Sequence, residues 1–281
     1  MHIYRPIAAT ATLALALGTT ALAAPVAQAA PRATAIVVHE DSELWYKAAP
    51  GQQNNLTVDE NIEHRGEFAS YYVLTFHDRY DIAIDASAAS SDECTYPTRG
   101  DRTVVRCAVE IPENSDDSDS YDIDLGDRDD TATLEADSDA WAGIYGGKGN
   151  DVLKGSASAM LHGDDGDDRL DGGGGPFGFG SFGGAGNDTL THCGQDCSGG
   201  AGNDSLTGTG EDNTLHGDDG NDALHGRGGA DVLYGGRGND KLYGETGSDT
   251  LWGNSGDDVL WGGPDTDRLS GGPGRNELHQ D

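Results

Sequence analysis

Between Gly199 and His279 an aspartate returns every ninth residue. The stretch reads as nine consecutive nonapeptides: GGAGNDSLT, GTGEDNTLH, GDDGNDALH, GRGGADVLY, GGRGNDKLY, GETGSDTLW, GNSGDDVLW, GGPDTDRLS and GGPGRNELH. Position 6 holds Asp204, Asp222, Asp231, Asp240, Asp249, Asp258 and Asp267, with Asn213 and Asn276 in the other two units. The glycines at positions 1 and 4 permit positive φ and close backbone approach. Such a turn aims carbonyl oxygens and the position-6 side chain at one point, an all-oxygen donor set.

The elements that hold this turn follow from the other columns. Position 8 is leucine in every unit, from Leu206 to Leu278. Positions 7 to 9 are expected to form a short strand with the leucine inward and its neighbours outward. One unit cannot bury its leucine alone, whereas stacked units build a continuous leucine column. A flexible glycine linker would not keep Leu and Asp in phase across the array. Upstream, full units at 146–154, 163–171 and 183–191 supply Asp151, Asp168 and Asp188. The pieces between them (155–162, 172–182 and 192–198) lack the glycine-aspartate turn and read as degenerate half-coils. A weaker match at 125–133 offers Asp130, but Arg128 replaces its second glycine.

These units closely resemble the RTX (hemolysin-type) repeat GGxGxDxUx, where U is a large apolar residue. The resemblance implies an all-β fold, a right-handed parallel β-roll with two units per coil. It also implies several Ca²⁺ ions between stacked turns, held by carbonyl oxygens and by Asp151, Asp168, Asp188, Asp204, Asn213, Asp222, Asp231, Asp240, Asp249, Asp258, Asp267 and Asn276. Oxygen-only ligation suits this hard cation. Alternating the units between two edges predicts one long row (151, 168, 188, 204, 222, 240, 258, 276) and one short row (213, 231, 249, 267), with the irregular half-coils on the short-row edge.

Composition agrees. The formal net charge is −33, which excludes nucleic acid and anionic membrane as partners and favours cations. Only 35% of residues are hydrophobic, so bound metal is expected to offset charge and replace missing core.

Residues 1–29 read as a signal peptide: Arg5 lies in the n-region, an alanine-rich apolar run follows, and Ala27-Gln28-Ala29 is a cleavage signal. With no other apolar run long enough to span a bilayer, a secreted, extracellular protein without membrane insertion is expected. Residues 30–124 carry short β-rich runs (35–38, 44–46, 56–58, 71–76, 82–84 and 103–109) and read as a small β-rich module capping the roll, which is placed at 125–281. This layout resembles the lead-in of secreted actinobacterial RTX calcium-binding proteins. The segment 116–119 is an acidic, solvated loop. Of the three connectivities four cysteines allow, the local one is expected, pairing Cys94 with Cys107 and Cys193 with Cys197. The wide separation of the pairs argues against zinc.

No G-x-S-x-G, H-E-x-x-H or P-loop motif occurs, and no enzymatic role is expected. Position 9 forms two outward series: Thr207, His225, Tyr243, Trp261, His279, and His216, Tyr234, Trp252, Ser270. Two functional classes follow. One is an extracellular calcium-binding protein folded around its ions, its aromatic series stabilising the sheets by cross-strand stacking. The other is a calcium-dependent adhesin or carbohydrate- or protein-binding module that uses them as a platform for a glycan or protein partner.

Overall fold

The computed structural model describes residues 34–65, 69–111, 120–136, 138–172 and 180–280. The expected signal peptide and the acidic loop at 116–119 lie outside the described residues. The first elements are β1 (Ala35–Glu40), β2 (Glu43–Lys47), β3 (Asn55–Arg65), β4 (Ala69–His77), β5 (Ile82–Ile84), α1 (Ala86–Ser91) and β6 (Val104–Glu110). Each expected β-rich run lies within or overlaps one of these strands. The helix was not expected: its one turn and a half is started by Asp85, whose side chain accepts the Ser87 N–H.

From Tyr121–Asp124 to Glu277–His279, eighteen further strands fall alternately on two sheets. They pair in parallel, and in the regular region partners lie 18 residues apart: Leu215 with Leu233 and Leu251 on one sheet, Leu224 with Leu242 and Leu260 on the other. Each coil therefore takes two nonapeptides, and the leucines meet between the sheets, fully buried from Leu206 to Leu260. This is a parallel β-roll.

Both sheets continue without a break into the N-terminal strands. β2 pairs in parallel with Tyr121–Asp124, and β3 with Thr131–Leu134. Antiparallel pairing then dominates this end, with β1 on β2, β3 on β4 and β4 on β6, while β5 pairs in parallel with β1 as the edge of the first sheet. Tyr46, Phe76 and Tyr121 pack as rings inside it, giving a conventional apolar core. At the opposite end Leu278, in the last described strand, is 49% exposed.

Cys94 and Cys107 form the expected disulfide. Cys193 and Cys197 do not: both are buried thiols. Cys197 stands in the inward column, paired with Leu215, so its side chain acts as a core group. The Cys193 thiol is pushed well above its usual range by burial and by its hydrogen bond with Cys197. Among the described residues no helix is long and apolar enough to cross a membrane.

Candidate metal centre

Every position-6 residue of the long row lies on one edge, just before a strand of the second sheet, and the short row lies on the other. Stacking joins them by one repeated bond. The backbone N–H of each donates to Oδ1 of the residue one coil further on: Asp151 to Asp168, Asp168 to Asp188, Asp188 to Asp204, and onward through Asp222, Asp240 and Asp258 to Asn276, at 2.7–3.0 Å. The short row does the same from Asn213 through Asp231 and Asp249 to Asp267. The irregular half-coils all lie on the short-row edge, as alternation predicts.

The second carboxylate oxygen differs. Oδ2 of Asp151, Asp168, Asp188, Asp204, Asp222, Asp231, Asp240, Asp249, Asp258 and Asp267 is buried and accepts no hydrogen bond. Orphaned buried oxygens in such numbers are rare and call for an explanation such as an ion. Each faces the glycine that opens its own turn. A Cβ added to Gly217 would lie 2.5 Å from both Asp222 Oδ2 and the Gly235 carbonyl oxygen of the next coil. The missing side chain thus leaves a cradle between two oxygens of adjacent coils. Among the described residues no three His, Cys, Asp or Glu side chains converge, so a cation here would draw its remaining ligands from backbone carbonyls.

Burial pushes these carboxyls up, only partly offset by the backbone N–H each accepts. Asp168, Asp204, Asp231 and Asp240 reach about 7, and Asp151 and Asp222 about 6. Adjacent carboxylates add to the upward shift. The metal-free row thus holds several acids that resist ionisation, and a divalent cation relieves both causes at once.

The two asparagines behave differently. Asn213 Oδ1 accepts from Thr209 N–H (2.7 Å), and its Nδ2 donates to the Gly194 carbonyl (2.6 Å). Asn276 Oδ1 accepts from Asp258 N–H, and its Nδ2 donates to the Gly272 carbonyl (2.9 Å). Both are satisfied within the chain, Asn213 at the start of the short row and Asn276 at the last described position of the long one.

Two features extend the rows, the first at the weaker match already noted at 125–133. Asp130 joins the long row: its N–H donates to Asp151 Oδ1, and its own Oδ1 accepts from Asn54 N–H. Its Oδ2 is buried and unpaired like the others. Position 5 forms a second ladder of opposite sense, in which Asp129, Asn150, Asp167, Asn187, Asn203, Asn221, Asn239 and Asp257 each accept from the next coil's N–H. The signal was present, since position 5 is Asn or Asp in all these long-row units; on the other edge Asp212 makes the same bond with Ala230 N–H, and Ala230, Ser248 and Thr266 then end the ladder.

The outward rings stack face to face. His225, Tyr243, Trp261 and His279 follow one another at 4.5–5.3 Å, and His216 and Tyr234 at 4.8 Å.

The sequence of the array matches one known repeat family. The model of the RTX calcium-binding nonapeptide repeat (four copies) fits residues 144–159, 160–176 and 182–191, and in overlapping copies 198–278. The roll is an RTX repeat array. No curated protein matches the chain. RTX repeats bind Ca²⁺ in general, and the orphaned oxygens and glycine cradles of this array suit that ion.

Proposed function

We propose that this chain is an extracellular, non-enzymatic calcium-binding protein whose RTX roll folds around Ca²⁺. In this reading Asp151, Asp168, Asp188, Asp204, Asp222, Asp231, Asp240, Asp249, Asp258 and Asp267 are the charged ligands. Asn213 contributes a neutral oxygen to the first short-row site, and Asn276 closes the long row. Asp130 is added to the set. The buried, unpaired Oδ2 files support this assignment. Residues 30–124 act as the cap of the roll, and residues 1–29 as an export signal. The Cys94–Cys107 disulfide fits an oxidising compartment.

The test is far-UV circular dichroism of the full chain in chelator and in millimolar Ca²⁺, the usual affinity range of extracellular modules being about 10⁻⁴–10⁻³ M, with bound ions counted by mass spectrometry. A large gain of β-signal with calcium is expected, with Mg²⁺ a poor substitute because it dehydrates reluctantly. Equal spectra in both conditions would sink the assignment. The second reading, a calcium-dependent adhesin or a glycan- or protein-binding module, rests on Trp252, which is 41% exposed; Tyr243 and Trp261 already stack on their ladder neighbours.

A further inference from the structure

A second binding feature lies in the N-terminal cap, away from the calcium rows. The loop between the disulfide and β6 folds back beside β5 and α1 and encloses an open cavity of about 730 Å³, within the usual range of small-molecule sites, about 300–1,000 Å³. Its walls are apolar at Ile84, Ala89, Tyr96 and Pro97, and its charged lining is Arg99, Asp101 and Arg102.

The loop is held in place rather than loose. Tyr96 Oη donates to the Ile82 carbonyl (2.9 Å), Ile82 N–H donates to the Arg102 carbonyl (2.7 Å), and Thr95 and Arg106 exchange backbone bonds. Asp101, between the two arginines in sequence, turns Oδ1 to the N–H and hydroxyl of Thr103. The Arg102 guanidinium lies 5.5 Å from the centre of the Tyr96 ring, a cation–π contact at the cavity wall.

Charge bears on what this cavity can hold. The chain has 50 acidic and 17 basic residues. Arg65, Arg106 and Arg237 are each paired with a carboxylate. Among the described residues neither Arg99 nor Arg102 makes an ion pair. Two guanidinium groups against one carboxylate, Asp101, whose Oδ1 is held by Thr103, leave a net positive charge over an apolar floor, which favours a ligand with an anionic head and an apolar body.

We propose that this cavity binds a small organic carboxylate carried on a single ring: the carboxylate bridges Arg99 and Arg102, and the ring packs on Tyr96, Pro97 and Ile84. The site is independent of calcium ligation.

The probe is benzoate, titrated into the calcium-loaded full chain and followed by saturation-transfer NMR. A ligand of this size is expected to bind at roughly millimolar concentration. Arg99→Gln and Arg102→Gln should each weaken binding about fivefold, a charge-assisted bond discounted for exposure, and the double variant should abolish it. Arg275→Gln, in the last coil, should leave binding unchanged. Benzamide tests the need for charge, and acetate and inorganic phosphate test the need for a ring. Absence of benzoate binding to the folded chain, equal binding of any of these three, or an equal loss in Arg275→Gln would overturn the proposal.

Discussion

The backbone N–H of Asp222 donates to Oδ1 of Asp240 at 2.9 Å, and Asp240 in turn donates its N–H to Oδ1 of Asp258 at 3.0 Å. One residue thus ties the coil before it and the coil after it, while its Oδ2 stays buried without a hydrogen bond. Asp240→Ala keeps the backbone N–H that reaches Asp258 but removes the acceptor of Asp222 N–H. Under the proposed calcium assignment it also removes a carboxylate shared by the ions on either side, so it should disturb two sites. With calcium saturating, the loss is expected at about 2–4 kcal/mol, the range for a buried charge-assisted network. Asp267→Ala, at the end of the short row, should cost less. Thermal melts together with ion counts check both, and equal losses at the two positions would refute the shared role of Asp240.

The pH dependence should change sign with calcium. In the metal-free roll, burial raises Asp168, Asp204, Asp231 and Asp240 to about 7, against about 3.9 in an unfolded chain. A raised acid contributes stability that is fully present below the unfolded value and lost as pH rises through about 7. In chelator the β-signal should thus be stronger at pH 5 than at pH 7.5. With calcium present the ionised form is the ligand, so protonation releases the ion and stability falls as pH drops. Parallel pH profiles with and without calcium would contradict this.

Glycine spacing offers a sharp contrast. Gly217→Ala places a methyl 2.5 Å from both Asp222 Oδ2 and the Gly235 carbonyl, in the cradle itself. It should cost about 1–3 kcal/mol as an overpacked site and weaken calcium binding. Gly210→Ala meets nothing within 4 Å and lies in no positive-φ turn, so it should be neutral or gain up to about 1 kcal/mol through the unfolded chain. Calcium titrations of the two variants should separate them clearly.

The thiols of Cys193 and Cys197 are buried at 0% and 1% exposure. In calcium, a thiol-specific colorimetric reagent should leave them unmodified, and in chelator both should react. Two reactive thiols per chain after unfolding would agree with the structure, whereas none would restore the disulfide expected from sequence.

The roll was readable because its evidence is local. Leu and Asp recur in phase, and pairing units 18 residues apart sorts Asp222 and Asp231 onto different edges without any tertiary information. The N-terminal end was not readable in this way. Asn54 occupies the place of a position-6 residue, giving its N–H to Asp130 Oδ1, yet its turn shares no motif with the repeats. The pairing of Leu44 with Tyr121 spans 77 residues (121 − 44) and leaves no periodic trace. The cysteine pair misled because spacing reports only that two residues can meet. Cys197 instead fills a slot that leucine takes in neighbouring coils. Arg128 takes the positive-φ turn conformation (φ 102°) despite its side chain, which a glycine-based reading discounts.

Two units per coil also govern which length changes the molecule tolerates. Removing 18 residues, for instance 217–234, takes out one whole coil and rejoins Asp204 to Asp240 and Asn213 to Asp249 with every sheet assignment intact. Removing nine transposes everything that follows. Residues of the long file would continue the short one, the aromatic ladder on one sheet would resume on the other, and the Asn and Asp of position 5 would lose their partners. Evolution and engineering alike should therefore lengthen or shorten this roll in double steps, with single-unit changes found only where an irregular half-coil, such as those between 155 and 198, resets the phase.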